Sequence, residues 1–146
     1  MINRKQLMEA AIEAREHAYA PYSNFCVGAA LLTKEGKVYT GCNIENSGLT
    51  ATVCAERVAF FKAVYAGERD FKEIAIVGGN KGPLTESCAP CGVCRQVMAE
   101  FCCHEEFKII LGWNADEYKV YTLAQLLPLS VKANESPQIR GFMKNI

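Results

Sequence analysis

Three cysteines and a glutamate, at spacings that suit a metal site, constrain this chain more than any other feature. Cys54 and Glu56 lie two residues apart, and Cys91 and Cys94 follow at a spacing of three. Residues three apart on the first turn of a helix point the same way. Each pair begins a predicted helix, and a helix N-terminus favours the thiolate, which is the form that binds zinc. The sequence therefore predicts one metal site built from the starts of two helices.

The predicted site has the composition of a catalytic zinc centre. Three thiolates leave one tetrahedral position for water, whereas a structural zinc site is closed by four protein ligands. Glu56 is close enough to that position to carry protons. Zinc with three thiolates has a formal charge of about −1, which makes it a poor acid for activating water. The two helix N-termini and the adjacent Arg57 and Arg95 are the groups that we expect to offset this charge.

Composition and charge narrow the class of protein. The chain has 146 residues, of which 50% are hydrophobic and 22% charged, so we expect one globular domain over residues 1–146, with a loosely held tail at 133–146. The formal net charge is zero and the sequence has no basic run, which argues against nucleic acid as a partner. No apolar run approaches the roughly 20 residues that span a bilayer, so we expect no membrane partner and a cytoplasmic location.

The other cysteines have simpler predicted roles. An even number of cysteines can indicate disulfides, but we find no secretion signal and the chain is long enough to form a core without them. Cys26 and Cys42 fall in strand-like runs and are predicted to be small buried hydrophobic residues. The Cys102-Cys103 pair is expected to end a helix and pack. His17 and His104 have no partner at ligand spacing and are expected at the surface.

Hydrophobic periodicity and turn residues predict strands interleaved with helices. One mixed sheet with helices on its faces would accommodate that order, which makes the fold class α/β. The second helix is predicted to carry Cys54, Val58, Phe61 and Val64 or Tyr65 as its apolar stripe. The predicted helices cover residues 3–19, 51–66 and 91–101, and a capping box at Thr122 to Gln125 predicts the start of a short fourth helix. The predicted strands cover residues 25–32, 38–42, 71–77, 108–112 and 119–121.

The chain resembles the cytidine deaminases, which are small zinc-dependent nucleoside deaminases, from Pro21 to about Pro128. Relatives that act on free cytosine, deoxycytidylate, tRNA adenosine or single-stranded DNA usually have histidine at the position of Cys54. Cysteine at that position, with Asn43 and Glu45, therefore favours the nucleoside branch. The motifs that carry the resemblance are Pro21-Tyr22-Ser23-Asn24-Phe25, residues 27–31, Gly41-Cys42-Asn43-Ile44-Glu45-Asn46, Cys54-Ala55-Glu56-Arg57 and Pro90-Cys91-Gly92-Val93-Cys94-Arg95-Gln96.

The resemblance implies a three-layer fold with a five-stranded sheet, and hydrolytic deamination of cytidine and deoxycytidine in pyrimidine salvage. It implies one zinc ion per chain and, for many members of the family, a homotetramer, with a homodimer as the alternative. At the metal, the resemblance implies that Cys54, Cys91 and Cys94 bind zinc, that Glu56 transfers protons and that Arg57 hydrogen-bonds the thiolates. At the base, it implies that Phe25 stacks on the pyrimidine and that the Ala55 N–H and the Ala89 carbonyl form hydrogen bonds to it. At the sugar, it implies that Asn43 and Glu45 bind the ribose.

Two alternatives remain open at this level. Cys88 could join the other cysteines in a four-thiolate structural zinc site or part of an iron–sulfur site, although neither explains Glu56. The second alternative is an enzyme for N4-substituted cytidines or another cytosine nucleoside, such as a nucleoside antibiotic. It is suggested by Leu49 and Val131, which stand where many cytidine deaminases have aromatic residues. Either another group fills the space of the missing rings, with Phe142 in the tail as a candidate, or the pocket is wider than usual, which is the hypothesis behind this alternative.

Overall fold

The computed structural model describes residues 1–131, in which five strands form one sheet in the order β2-β1-β3-β4-β5. The elements are α1 (Arg4–Arg15), β1 (Phe25–Thr33), β2 (Val38–Cys42), a 3-10 turn (Leu49–Ala51), α2 (Ala55–Tyr65), β3 (Phe71–Asn80), α3 (Gly92–Phe101), β4 (Lys108–Gly112), β5 (Tyr118–Thr122) and α4 (Leu123–Leu126). Strands β3 and β4 are parallel and the other neighbours antiparallel, so the predicted five-stranded mixed sheet is confirmed. The predicted tail at 133–146 lies outside the described residues.

Helices cover both faces of the sheet, because successive side chains of the buried strands point to opposite sides. On β1, Ala29 and Leu31 face the core formed with α2, α3 and α4, while Ala30 and Leu32 face the core formed with α1. A strand with two buried faces is apolar at nearly every position, which explains the long apolar runs of β1 and β3. The predicted three-layer arrangement is confirmed.

The buried face of α2 differs from the prediction. Phe60 is the aromatic residue that enters the core, where its ring centroid lies 5.1 Å from that of Phe71. Phe61 and Tyr65 are exposed instead, by 51% and 95%. The helix carries apolar residues around most of its circumference, so the periodicity alone did not distinguish the inner from the outer face. Docking of α2 on the sheet decides it.

Several predicted boundaries and one burial are corrected. Helix α1 ends at Arg15 and not at residue 19, and α2 begins after Cys54 and not at residue 51. Strand β3 continues to Asn80 because its end pairs with Phe25 at the start of β1. His104, predicted at the surface, is 6% exposed and lies 3.0 Å from the Ser130 hydroxyl through its Nε2.

Arg15 joins α1 to the start of β1, to the end of β3 and to the loop that follows β3. Its guanidinium is buried and donates to the backbone carbonyls of Cys26, Gly79, Asn80 and Gly82. A buried guanidinium is stabilised by such multiple acceptors.

Among the described residues, no helix is long and apolar enough to span a membrane.

Gly41 allows α2 to approach β2 closely. A Cβ atom at this position would lie 2.3 Å from the Ala55 carbonyl oxygen and 2.6 Å from the Ala59 amide nitrogen. Both atoms belong to the helix backbone, which can move aside only if the whole helix shifts. We therefore expect Gly41→Ala to lower the free energy of unfolding by about 1–3 kcal/mol, measured by urea denaturation.

Gly48→Ala is the matched control. Gly48 has φ −80°, which any residue adopts, and the nearest atom to a Cβ there is the Asn46 side-chain oxygen at 3.4 Å. Its stability should stay near that of the native protein. A Gly41→Ala protein with native stability would show that α2 does not contact β2 as closely as the structure has it.

Candidate active site

The starts of α2 and α3 bring three cysteines together at one end of the sheet. Cys54 is the residue immediately before α2, Cys91 is the residue immediately before α3, and Cys94 lies in the first turn of α3. Their three Sγ atoms all lie within 4.8 Å of one another. The structure thus forms the predicted group from the two helix starts, as the sequence spacing indicated.

The geometry and chemistry of this group fit zinc. Four ligands at about 2.3 Å in a tetrahedron place neighbouring sulfur atoms about 3.8 Å apart. The Sγ atoms of Cys54 and Cys91 are 3.6 Å apart, which is close to that spacing. Three thiol ligands with one position left for water are the donor set of a catalytic zinc site, so these residues would hold the zinc ion.

Ionisation of the thiols also favours a cation at this point. Hydrogen bonds from Cys94 and, with a smaller effect, from Arg57 hold the pKa of Cys54 below its usual range. The pKa of Cys94 is raised by its hydrogen bond to Cys54 and by burial. Cys54 and Cys94 therefore do not both ionise unless a positive ion neutralises them.

Arg57 and Arg95 behave differently, although each follows close upon a zinc-binding motif. The Arg57 Nη2 donates to the Cys54 Sγ at 3.3 Å, which raises the pKa of Arg57 and keeps its charge beside the thiols. Arg95 donates to the Leu126 carbonyl instead. Of the two predicted compensating arginines, only Arg57 contacts a thiol in the described part of the chain.

Glu56 is the second residue of α2, and the residue as a whole is almost completely buried, at 3% exposure. Burial raises the pKa of Glu56 to about 7. A carboxyl group whose pKa is near neutral can both accept and return a proton, which is what a general acid–base residue needs. No basic side chain neutralises it by an ion pair in the described residues.

An open cavity of about 240 Å³ lies next to these groups. Its walls bring together most of the predicted site residues. Phe25 is 37% exposed and presents a ring to the cavity at the start of β1. Ala55 is the first residue of α2 and fully buried. The lining residues are Ser23, Phe25, Val27, Asn43, Glu45, Thr52, Val53, Cys54, Glu56, Cys88, Ala89 and Cys91.

Asn43 lies at the cavity with a side chain that is already partly bonded. Its Oδ1 accepts from the Val27 amide and its Nδ2 donates to the Phe25 carbonyl, both at 2.8 Å. The second N–H of the Nδ2 group has no partner within residues 1–131 and is left for a ligand. Asn43 therefore connects the cavity to β1 and keeps a donor available.

Glu45 is held by the loop before β1. The backbone amides of Tyr22 and Ser23 donate to its Oε1 at 2.9 and 3.1 Å, and the Ser23 hydroxyl lies 2.5 Å from its Oε2. The sequence alone predicts no role for Ser23, although Ser23 lies in the motif Pro21-Tyr22-Ser23-Asn24-Phe25. Only the fold shows that this serine reaches a carboxylate 22 residues away.

Cys88 lines the cavity but does not belong to the metal-binding group in the described residues. Gly78 lies behind it, with the Cys88 Sγ 3.0 Å from the position of a Gly78 Cβ. Burial raises the pKa of Cys88 to about 11, so this thiol stays protonated near neutral pH. The geometry therefore disfavours the four-thiolate site.

We expect Cys88→Ala to retain zinc and activity, because three thiols and one position for water already complete the tetrahedron. The measurement is zinc content by atomic emission, together with enzymatic turnover of the purified protein. Cys102→Ala, at a half-buried cysteine away from the cavity, is the control. Loss of zinc in Cys88→Ala alone would restore the structural four-thiolate interpretation.

Comparison with known proteins gives a consistent result. Residues 1–110 match the family model described as the cytidine and deoxycytidylate deaminase zinc-binding region. The chain is 49% identical to a cytidine deaminase of Sporosarcina psychrophila over 85% of this chain and 88% of that protein. It is 47% identical to a cytidine deaminase of Halalkalibacterium halodurans over 92% and 98%. The crystal structure of a Burkholderia pseudomallei cytidine deaminase aligns with a TM-score of 0.78 at 47% identity, covering 89% of this chain and all of the other.

Proposed function

The chain belongs to the cytidine and deoxycytidylate deaminase family, and from that premise we propose that it converts cytidine and deoxycytidine to uridine and deoxyuridine with release of ammonia. The observation that carries the proposal is the position of Glu56. This buried carboxyl group, with a pKa near neutral, lies in one cavity with Cys54 and Cys91. A structural metal site is closed by four protein ligands and catalyses no proton transfer, so it does not require such a carboxyl group beside it.

Cys54, Cys91 and Cys94 would hold the zinc ion, which would supply the Lewis acidity that lowers the pKa of water towards neutrality. Glu56 takes up the proton that the water loses and donates it to ring N3, which makes C4 electrophilic. After the water oxygen has added to C4, Glu56 passes a second proton to the exocyclic amine, which leaves as ammonia. The balance is one water consumed and one ammonia released for each uridine formed.

Phe25 and Ala89 of the cavity wall, and the backbone of the buried Ala55 between the lining residues Cys54 and Glu56, are proposed to orient the base. The ring of Phe25 would stack on the pyrimidine face, since an aromatic side chain offers a flat apolar surface. The Ala55 N–H lies at the start of α2, where amides have no partner within the helix, and would bind the base carbonyl. The carbonyl of Ala89 would accept from the exocyclic amine, next to Cys91.

The other end of the cavity is proposed to bind the sugar. Asn43 has one free N–H and Glu45 has free acceptor capacity. A hydroxyl group is both a donor and an acceptor, so the two side chains together suit the ribose 3′-hydroxyl. Arg57 would act on the thiolates and not on the substrate, because its guanidinium contacts Cys54.

The test is metal analysis of the purified protein together with the loss of cytosine absorbance for four compounds: cytidine, deoxycytidine, deoxycytidylate and N4-methylcytidine. We expect about one zinc per chain and turnover of the two unmodified nucleosides. Zinc without turnover of any of these compounds would contradict the proposal. Preferred turnover of N4-methylcytidine would favour the alternative substrate class, which the exposed aliphatic Leu49 and Val131 suggest.

We also propose that the chain forms a homotetramer and acts in the cytoplasm in pyrimidine salvage. Large apolar side chains are exposed on its surface, among them Phe61, Tyr65 and Leu129 at 51%, 95% and 89%. Contacts with neighbouring subunits in a homotetramer would remove such side chains from water. All eight cysteines lie in the described residues and carry free thiols there, which suits a reducing compartment. Analytical ultracentrifugation that finds a monomer would contradict the tetramer.

A further inference from the structure

The loop between α1 and β1 places Ser23 at the cavity. Asn24 has φ +62°, a left-handed conformation that asparagine tolerates better than most residues. Its amide donates to the Ala20 carbonyl and its carbonyl accepts from the Lys81 amide, so the turn is bonded on both sides. The turn directs the amides and the hydroxyl of residues 22 and 23 towards Glu45.

The Ser23 hydroxyl has a defined orientation. Its oxygen accepts a hydrogen bond from the Phe25 amide at 3.0 Å. The ionised carboxylate of Glu45 can only accept, so the hydroxyl proton points to Glu45 Oε2 at 2.5 Å. One serine thus links the residue proposed to stack on the base to the residue proposed to bind the sugar.

The Glu45 carboxylate keeps part of its hydrogen-bond acceptor capacity for a ligand. Oε1 of Glu45 already accepts from two amides, while among the described residues Oε2 accepts only from Ser23, which leaves capacity for one more donor. Together with the two amides at Oε1, the bond from the Ser23 hydroxyl fixes the rotation of the carboxylate, and with it the direction in which Oε2 can accept a further hydrogen bond. The same bond is the largest reason why the pKa of Glu45 is held below its usual range, so the group stays ionised.

We infer that Ser23 is a positioning residue that holds the Glu45 carboxylate so that its free acceptor faces the ribose 3′-hydroxyl. The inference rests on the proposed function. Ser23 acts through Glu45 and needs no contact with the reacting atoms. The affinity for nucleosides that carry a 3′-hydroxyl therefore depends on the side chain of Ser23. This residue belongs to the loop between α1 and β1, and not to the loop that contains Asn43 and Glu45.

The test uses two compounds that differ only in the hydroxyl concerned: deoxycytidine as substrate, and 2′,3′-dideoxycytidine as competing ligand. For Ser23→Ala we expect the KM for deoxycytidine to rise about five- to tenfold, while the inhibition constant of the dideoxy compound changes by less than about twofold. Ser23→Thr keeps the hydroxyl and should restore the native KM. Ser47→Ala, at an exposed serine beyond Glu45, is the matched control and should behave as the native protein.

A double-mutant cycle shows whether Ser23 acts through Glu45. In the Glu45→Ala background, Ser23→Ala should change the KM for deoxycytidine by less than about twofold. An equal loss of affinity for both compounds would overturn the inference, since a general disturbance of the loop and Phe25 would have that effect. A Ser23→Ala protein with native KM would overturn it too. If the native protein deaminates no cytosine nucleoside, the proposed function fails, and the inference fails with it.

Discussion

Glu56→Gln should retain about one zinc per chain while its turnover of cytidine falls by about 10²–10⁴-fold or more. The amide has nearly the same shape as the carboxyl group and disturbs none of the three thiols. It cannot, however, take up a proton and return it. Because Glu56 is buried, solvent buffer cannot easily replace it in this role. The measurements are zinc content and the initial rate of absorbance loss with cytidine.

Glu100→Gln is the matched control for this variant. Glu100 lies exposed on α3 and has no part in the cavity, so the same chemical change there should leave the rate unaltered. Binding of cytidine to Glu56→Gln, measured by calorimetry, should persist because the sugar and ring contacts remain. An active Glu56→Gln protein would show that another group transfers the protons.

Cys91→Ser should lose both zinc and turnover. Serine keeps the hydrogen-bond acceptor at the start of α3, where the Cys91 Sγ accepts from the Cys94 amide. The change therefore removes a thiolate ligand but retains the helix cap. We expect zinc content after dialysis against a weak chelator to fall from about one ion per chain to below about one tenth, because two thiols bind far more weakly than three.

Cys103→Ser tests whether this effect belongs to the metal group. Cys103 is likewise exposed and free, but its thiol contacts only Glu105 among the described residues. Zinc content and thermal stability should stay at the native level in this control. If Cys91→Ser retained its zinc at native affinity, the ion would be bound elsewhere and the assignment of the three-cysteine site would be wrong.

The sequence by itself determined the parts of the protein that depend on neighbours along the chain. Cys91 and Cys94 share one helix turn, and the Thr122 to Gln125 capping box forms as predicted. The apolar runs of β1 and β3 also predicted buried strands. In each case the chemistry follows from spacing within one element, which sequence displays directly.

Other features were decided only by tertiary structure. The inward position of Phe60, with Phe61 outside, depends on how α2 docks on the sheet through Gly41. The burial of His104 depends on the return of the chain at Ser130. In both cases the alternatives are close in local propensity, so packing between distant segments selects among them.

The link between Ser23 and Glu45 illustrates the same division within the site. The sequence suggested a sugar-binding role for Glu45 through a family resemblance, but a carboxylate in a polar loop has no preferred direction by itself. A turn 22 residues earlier supplies two amides and a hydroxyl that orient it. Residue type thus determined which chemistry is available, and the path of the backbone determined where that chemistry points, because hydrogen bonds need both partners within about 3 Å.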